Sequence, residues 1–178
     1  SIEDMQRVLL AQCGDRAALE TLLRGMAPSL RRYVASLVGP ADADDVLQDS
    51  LVIVIRKLGG LDDPGAFRPW AYRIASREAF RCLKRRRLDL VRNEDDQSLG
   101  DLPAPFVPSS ELLRDLLSSD AVSPASRAVL VLHFQEGLSL PEAAAVLDIP
   151  VGTAKSRLAY GLATLRKHMN VTGGSHGR

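Results

Sequence analysis

Apolar residues recur at helical spacing along almost the whole of this 178-residue chain, and nothing in it alternates as a half-buried strand would. The pattern predicts helices over 2–12, 15–26, 28–37, 43–58 and 67–88, separated by Gly14, Pro28, Gly39-Pro40 and the Gly/Asp/Pro-rich stretch 59–65. From Asp89 to about Ser110 the periodicity fails, and Pro103, Pro105 and Pro108 stand among polar and acidic residues, which reads as an extended linker. Helical patterning resumes over 111–117. A further helix is opened by Ser123-Pro124, runs through Val129, Leu130, Leu132 and Phe134, and is closed by Gly137. The expected fold is all-α, with two helical domains (1–88 and 111–170) joined by a flexible linker (89–110), and a tail (171–178) too poor in apolar residues to order.

Residues 139–169 carry the sharpest local signal. Ser139 to Glu142 has the form of a capping box, Pro141 falls in a first turn where a missing amide costs nothing, and Ala143 and Ala144 leave room for a second helix to cross closely. Asp148, Ile149 and Pro150 then break the pattern, and a second helix starts near Val151. On that helix Val151, Ala154, Leu158, Leu162, Leu165 and Met169 are expected to face the core. Opposite them come Thr153, Ser156, Arg157 and Tyr160, flanked by Lys155 and Lys167, with no acid from Gly152 to Met169. A capped helix joined by a tight turn to a second helix that is basic on its outer face forms a helix-turn-helix pattern whose second helix suits a DNA major groove.

Charge sharpens this picture. The net charge is only +1, so the chain is no general polycation, but its charges are partitioned. Pro40 to Asp63 holds Asp42, Asp44, Asp45, Asp49, Asp62 and Asp63 against Arg56 and Lys57. Ala66 to Leu88 inverts this, with Arg68, Arg73, Arg77, Arg81, Lys84, Arg85, Arg86 and Arg87 against Glu78. Such asymmetry predicts one surface for a protein and another for a polyanion. The linker is acidic in turn, with Asp89, Glu94, Asp95, Asp96 and Asp101 against Arg92.

Two helices hold the remaining information. In the helix over 43–58, Leu47, Leu51, Val54, Ile55 and Leu58 are expected to be buried. Asp45, Gln48, Asp49 and Val52, at i, i+3, i+4 and i+7, then form an exposed acidic face suited to docking. Asp42, Asp44 and Asp45 could instead complement the helix N-terminus, a role that does not extend to Gln48, Asp49 and Val52. In the helix over 67–88, Arg73, Arg77, Arg81 and Lys84 make a basic ridge, with Arg68, Phe67 and Trp70 at its start. Cations that track phosphates beside rings that stack on bases are the composition of a single-strand binding surface, although Trp70 would serve equally as core.

Cys13 and Cys82 match no metal or disulfide spacing, and His133 and His168 stand isolated, so neither a cofactor nor a metal is expected. The longest apolar run, Leu51 to Ile55, is far short of the roughly 20 residues needed to cross a bilayer, and no signal-peptide pattern is present. A soluble cytoplasmic protein without direct membrane insertion is expected.

Four segments in order resemble one family over nearly the whole chain: 14–19 (GDRAAL), 42–49 (DADDVLQD), 67–75 (FRPWAYRIA) with the trailing 84–87 (KRRR), and 149–158 (IPVGTAKSRL). They resemble the extracytoplasmic-function (ECF) group of bacterial RNA polymerase sigma factors. The resemblance implies that the first body is the second sigma domain, with Asp45, Gln48, Asp49 and Val52 docking on the clamp region of the beta-prime subunit of core polymerase. Loop 59–69 with Arg68, Trp70, Arg73, Arg77, Arg81 and Lys84 would capture the melted minus-ten element. The second body would be the fourth sigma domain, reading the minus-thirty-five element through Thr153, Lys155, Ser156, Arg157 and Tyr160, and an anti-sigma factor would hold the protein inactive. This sequence departs from the pattern at Ala159, Tyr160, Gly161 and Leu162, where many members carry further arginines, and near Arg77, where an asparagine is common.

Two other classes remain at this point. A helix-turn-helix regulator acting independently of polymerase accounts for the second body but not for the acidic face. A helical hydrolase holding Mg²⁺ on Asp42, Asp44, Asp45 and Asp49 would need a matching set on another helix and a base, and neither is evident.

Overall fold

The structure, a computed structural model, describes residues 2–89 and 122–173; the expected linker, the helical stretch over 111–117 and the end of the tail lie outside the described residues. The chain divides into two compact units, residues 1–90 and 91–178. Among the described residues every regular element is helical.

The first unit holds α1 (Ile2–Gln12), α2 (Arg16–Val38), α3 (Pro40–Lys57) and α4 (Phe67–Asp89), with 3-10 turns at Leu58–Gly60 and Pro64–Ala66. Asp15 caps α2 by accepting from the amides of Ala17 and Ala18. The expected break at Pro28 does not occur: α2 runs through it. Pro28 and Arg24, whose carbonyl loses its helical donor, are both exposed, so water can satisfy that carbonyl. Leu22 before the proline and Leu30, Tyr33, Val34 and Leu37 after it stay buried on one stripe, and this packing outweighs the local cost.

Small residues let α4 lie close in this unit, because Ala71, Ala75, Ser76 and Ala79 are all buried. Buried Tyr33 and Tyr72 meet edge to face at 5.3 Å. Ser76 donates to the Tyr72 carbonyl at 2.7 Å, so its oxygen is left to accept from the Tyr33 hydroxyl at 2.6 Å, and no buried hydroxyl there goes unmet. Arg86 donates to the Val38 carbonyl at 2.8 Å, an orphan at the end of α2, and pairs with Asp42 in the first turn of α3. It thereby clamps the α2–α3 turn from α4, and is not simply part of a basic run.

The second unit comprises α5 (Pro124–Leu130), a π turn at Val131–Gln135, α6 (Leu140–Leu147) and α7 (Val151–Gly173). The helix expected to run as far as Gly137 therefore changes winding after Leu130, and Gly137 ends the segment at φ 70°. The capping box at Ser139 is complete. Its hydroxyl accepts from the Glu142 amide, and the Glu142 carboxylate accepts from the Ser139 amide at 2.8 Å; the Ser139 hydroxyl and amide hold that carboxyl below the usual range. Val129, Ala144 and Ala154 form a buried centre, with Leu140, Leu147, Ile149 and Leu158 packed around it. Helix α7 continues to Gly173, beyond the boundary expected at residue 170.

Gly161 sets how closely α5 and α7 approach. A Cβ there would lie 2.7 Å from Leu130 Cδ1, inside a side chain that is itself fully buried. Gly161→Ala is therefore expected to destabilise the second unit by about 1–3 kcal/mol, read as a lowered urea midpoint. Gly152→Ala, where a Cβ meets open space, should be neutral or slightly stabilising. Equal losses from both substitutions would refute the close-approach argument.

Candidate functional site

Three surfaces bring the predicted residues together. The first is the outer face of α3, where Asp45, Gln48, Asp49 and Val52 are all exposed. The carboxylates of this helix divide into two groups. Asp42 accepts from Arg86, and Asp44 accepts from Arg31 Nε at 2.7 Å and Nη2 at 3.2 Å, a bidentate pair that holds the Asp44 carboxyl below and the Arg31 guanidinium above their usual ranges. Among the described residues, Asp45 and Asp49 form no ion pair or hydrogen bond through their side chains.

The buried side of α3 differs from expectation. Ala43, Val46, Ser50, Val54 and Leu58 define it, Leu47 and Leu51 are half-buried flanks, and Ile55 is 47% exposed. Ser50 is acceptable in the stripe because its hydroxyl donates to the Val46 carbonyl at 2.6 Å. Sequence reasoning favoured the large aliphatics and so rotated the stripe by about one residue. Ile55 instead joins the exposed acidic face, a position its spacing of three from Val52 and seven from Gln48 marks out.

The second surface is loop 58–69 with α4. Gln12 at the end of α1 donates to the carbonyls of Leu58 (2.9 Å) and Leu61 (2.8 Å), which ties the start of the loop to α1, and Asp63 accepts from the Gly65 amide at 2.8 Å in a local turn farther along. A cavity of about 800 Å³ opens between α1, α2 and the start of α4, lined by Met5, Leu22, Met26, Gly65, Phe67 and Arg68 among others. Phe67 is buried; Trp70 is half-buried with its ring 6.1 Å from that of Phe67, so it shares in the packing and keeps an exposed edge. Arg68 is exposed, with its guanidinium carbon 6.0 Å from the centre of the Tyr72 ring.

Along the ridge Arg77, Arg81 and Lys84 are exposed and Arg73 is half-buried. Arg81 donates to both oxygens of buried Glu78 at 2.9 Å, and Arg73 and Arg77 also take part in contacts. Lys84 makes no side-chain hydrogen bond or ion pair among the described residues. Cys82, half-buried between α3 and α4, has its thiol pushed up by burial and then by Asp42, which keeps it protonated and unreactive at neutral pH. Among the described residues no group of three or more His, Cys, Asp or Glu is arranged to hold a metal ion.

The third surface is the helix-turn-helix of α6 and α7. Asp148 takes the left-handed conformation at φ 58°, and the amides of Asp148 and Ile149 return to the carbonyls of Ala145 and Ala144 at 3.3 and 3.0 Å, which closes α6 and reverses the chain in three residues. On α7, Lys155 and Tyr160 are exposed, while Thr153, Ser156 and Arg157 are partly exposed. Ala154, Leu162 and Leu165 are buried and Leu158 half-buried, as the periodicity requires. Val151, expected in the core, is 39% exposed; the Met169 side chain lies outside the described residues. Among the described residues the side chains of Lys155, Arg157 and Tyr160 make no hydrogen bond or ion pair.

Residues 22–89 match the family Sigma-70 region 2, and residues 120–167 match Sigma-70, region 4. The chain is also 31% identical over 170 residues to the ECF RNA polymerase sigma-E factor of Salmonella typhimurium, covering 88% of this chain and 89% of that one. The chain belongs to the ECF family of RNA polymerase sigma factors.

The ECF sigma factor SigE of Mycolicibacterium smegmatis is 31% identical over 166 residues, 88% of this chain but 64% of that longer one. Two solved structures share the fold of this sigma factor. CnrH in complex with the cytosolic domain of CnrY has a TM-score of 0.69 at 25% identity, over 95% of this chain and 98% of that one. The sigma factor RpoE in complex with the anti-sigma factor NepR, from Bartonella quintana, has a TM-score of 0.66 at 24% identity, over 85% and 96%. No helix among the described residues of this alternative sigma factor is long and apolar enough to cross a membrane.

Proposed function

We propose that this sigma factor docks on the clamp region of the beta-prime subunit of core RNA polymerase through Asp45, Gln48, Asp49 and Val52, joined by Ile55, and directs initiation at promoters read in two parts. The observation that carries the reading is the division of the α3 carboxylates. Arg86 and Arg31 hold Asp42 and Asp44, whereas Asp45 and Asp49 stand exposed beside two exposed aliphatics, without an internal partner among the described residues. Exposed charge bordering apolar surface is the composition of a docking interface.

The minus-ten element is captured by loop 59–69, Arg68, Trp70 and the α4 ridge. Everting a base costs a few kcal/mol, and a cavity with both apolar walls (Met5, Leu22, Met26, Phe67) and polar ones (Arg7, Ser29, Arg68) beside the loop is suited to offset that cost. The minus-thirty-five element is read by α7 through Thr153, Lys155, Ser156, Arg157 and Tyr160. The second sigma domain ends with α4, the fourth lies within residues 111–170, and the intervening segment tethers them. By extension from the RpoE–NepR complex, an anti-sigma factor holds the protein inactive in the cytoplasm, where polymerase is found.

Adding the chain to core polymerase and scoring transcription from a promoter library tests the whole reading. Transcripts from a defined subset of promoters are expected; none above core alone would overturn it. A salt series tests the ridge. If Arg73, Arg77, Arg81 and Lys84 hold phosphates, alanine at each should reduce the slope of open-complex formation by roughly 0.7–0.9 for each phosphate no longer neutralised, most cleanly at Lys84, which breaks no internal pair. Unchanged slopes for all four would return the ridge to the solvent.

A further inference from the structure

Tyr160 stands out on the DNA-facing side of α7. Its side chain is 43% exposed and makes no hydrogen bond, ion pair or ring contact among the described residues. At 100° per residue, Gly152, Ser156 and Tyr160 run down the middle of the side away from Ala154, Leu162 and Leu165. The two residues before it on that line are small, as are its neighbours Ala159, Gly161, Ala163 and Thr164, so no large side chain precedes the ring on this line. The Ser156 hydroxyl is turned inward, donating to the Gly152 carbonyl at 3.1 Å, and Thr164 likewise donates to the Tyr160 carbonyl at 3.0 Å. The middle of the face therefore offers a base pair an aromatic ring, with Lys155 and Arg157 to either side.

What such a ring can contact follows from the major groove itself. A base edge there presents hydrogen-bond donors and acceptors and one apolar group, the thymine C5-methyl. A guanidinium in this position would form a fork to guanine O6 and N7. The phenol has no fork, and pressing its ring against those acceptors would strip them of water without replacing the bonds. Against a thymine methyl, the ring and the methyl are both removed from water while the hydroxyl at the ring's far end stays wet.

We propose that Tyr160 is a specificity-determining residue that reads a thymine methyl in the upstream promoter element, so that this sigma factor selects a T·A pair where an arginine at the same position would select guanine. The inference rests on the second unit reading that element. The test uses holoenzyme and the best-bound upstream duplex from a randomised library, with each thymine replaced singly by uracil, which removes only the methyl. Wild type is expected to bind about three- to fivefold more weakly at one or two uracil positions. Tyr160→Phe should keep that penalty, and Tyr160→Ala should bind the thymine and uracil duplexes alike while melting close to wild type, since the side chain makes no hydrogen bond, ion pair or ring contact among the described residues. Sequence-selective binding by wild type with no uracil penalty at any position would overturn the inference alone. Loss of the penalty in Tyr160→Phe would also overturn it, by assigning the contact to the hydroxyl. Absence of any selectivity across the library would overturn the promoter reading of α7 itself.

Discussion

The double substitution Asp45→Lys, Asp49→Lys is expected to weaken association with core polymerase by about a hundredfold or more while leaving the melting temperature of the free protein unchanged. The two carboxylates lie one turn apart on exposed α3 surface and have no internal partner among the described residues, so replacing them disrupts nothing within the unit. At a complementary basic surface the reversal replaces two attractions by two like-charge contacts, which cost several kcal/mol together, and each 1.4 kcal/mol is a factor of ten. Asp42→Ala supplies the contrast on the same helix. It strands Arg86, which also holds the Val38 carbonyl, so it should lower the melting temperature and leave association of the folded protein intact. Both can be measured by fluorescence anisotropy with labelled protein and purified core. Tight binding by the folded double variant would remove α3 from the interface.

What could be read from the sequence, and what could not, follows the range of the interactions involved. Helix starts set by local chemistry stand where the residues place them: Asp15 before α2, Ser123 before α5, and the Ser139–Glu142 box before α6, each a bond within three residues. Pro28 misled because local propensity argued for a break, whereas the buried run from Leu22 to Leu37 against α3 and α4 decides for continuity. Ile55 and Val151 misled for a related reason. Residue type marks them as core, but among the described residues both stay exposed, and that depends on tertiary placement.

For the candidate site, the exposed set on α3 and the outer face of α7 were legible because period and charge agree along a single helix. The fate of each charge was not. Nothing near Asp42 or Asp44 in the sequence distinguishes them from Asp45, and only the approach of Arg86 and Arg31 from other helices does so. Arg81 is similar. Its place on a basic ridge is visible in the spacing, but its hold on Glu78, one Nη1 donating to both carboxylate oxygens, depends on that carboxylate being buried and turned toward it. Gly161 stood out first as a departure from the family's arginines, and the packing supplies the reason, since Leu130 fills the space a side chain would need.

Arg157→Ala is expected to cost about 1–3 kcal/mol on the best upstream element and to flatten base preference at one or two positions, whereas Lys155→Ala should weaken all sequences alike. The two residues flank the middle of the outward face on opposite edges, and their surroundings differ. Lys155 is exposed, a mobile point charge that can follow a phosphate wherever the backbone runs. Arg157 is half-buried, so its aliphatic stem lies on the unit's own surface, yet its guanidinium has no internal partner among the described residues. A planar fork carried on a stem already restrained loses less entropy on pairing with guanine O6 and N7, and the direction it points is set before DNA arrives. Lys155→Ala should accordingly lower the salt dependence of binding by roughly 0.9 in slope with the base ranking preserved. Arg157→Ala should alter the ranking and, where it pairs with a base, leave the slope almost unchanged. Holoenzymes carrying each variant, measured against a library randomised in the upstream element at two or more salt concentrations, separate these outcomes. If Arg157→Ala kept the wild-type preference at every position and reduced the slope instead, the residue would belong with Lys155 on the phosphates, and base reading by α7 would fall to the middle of the face alone.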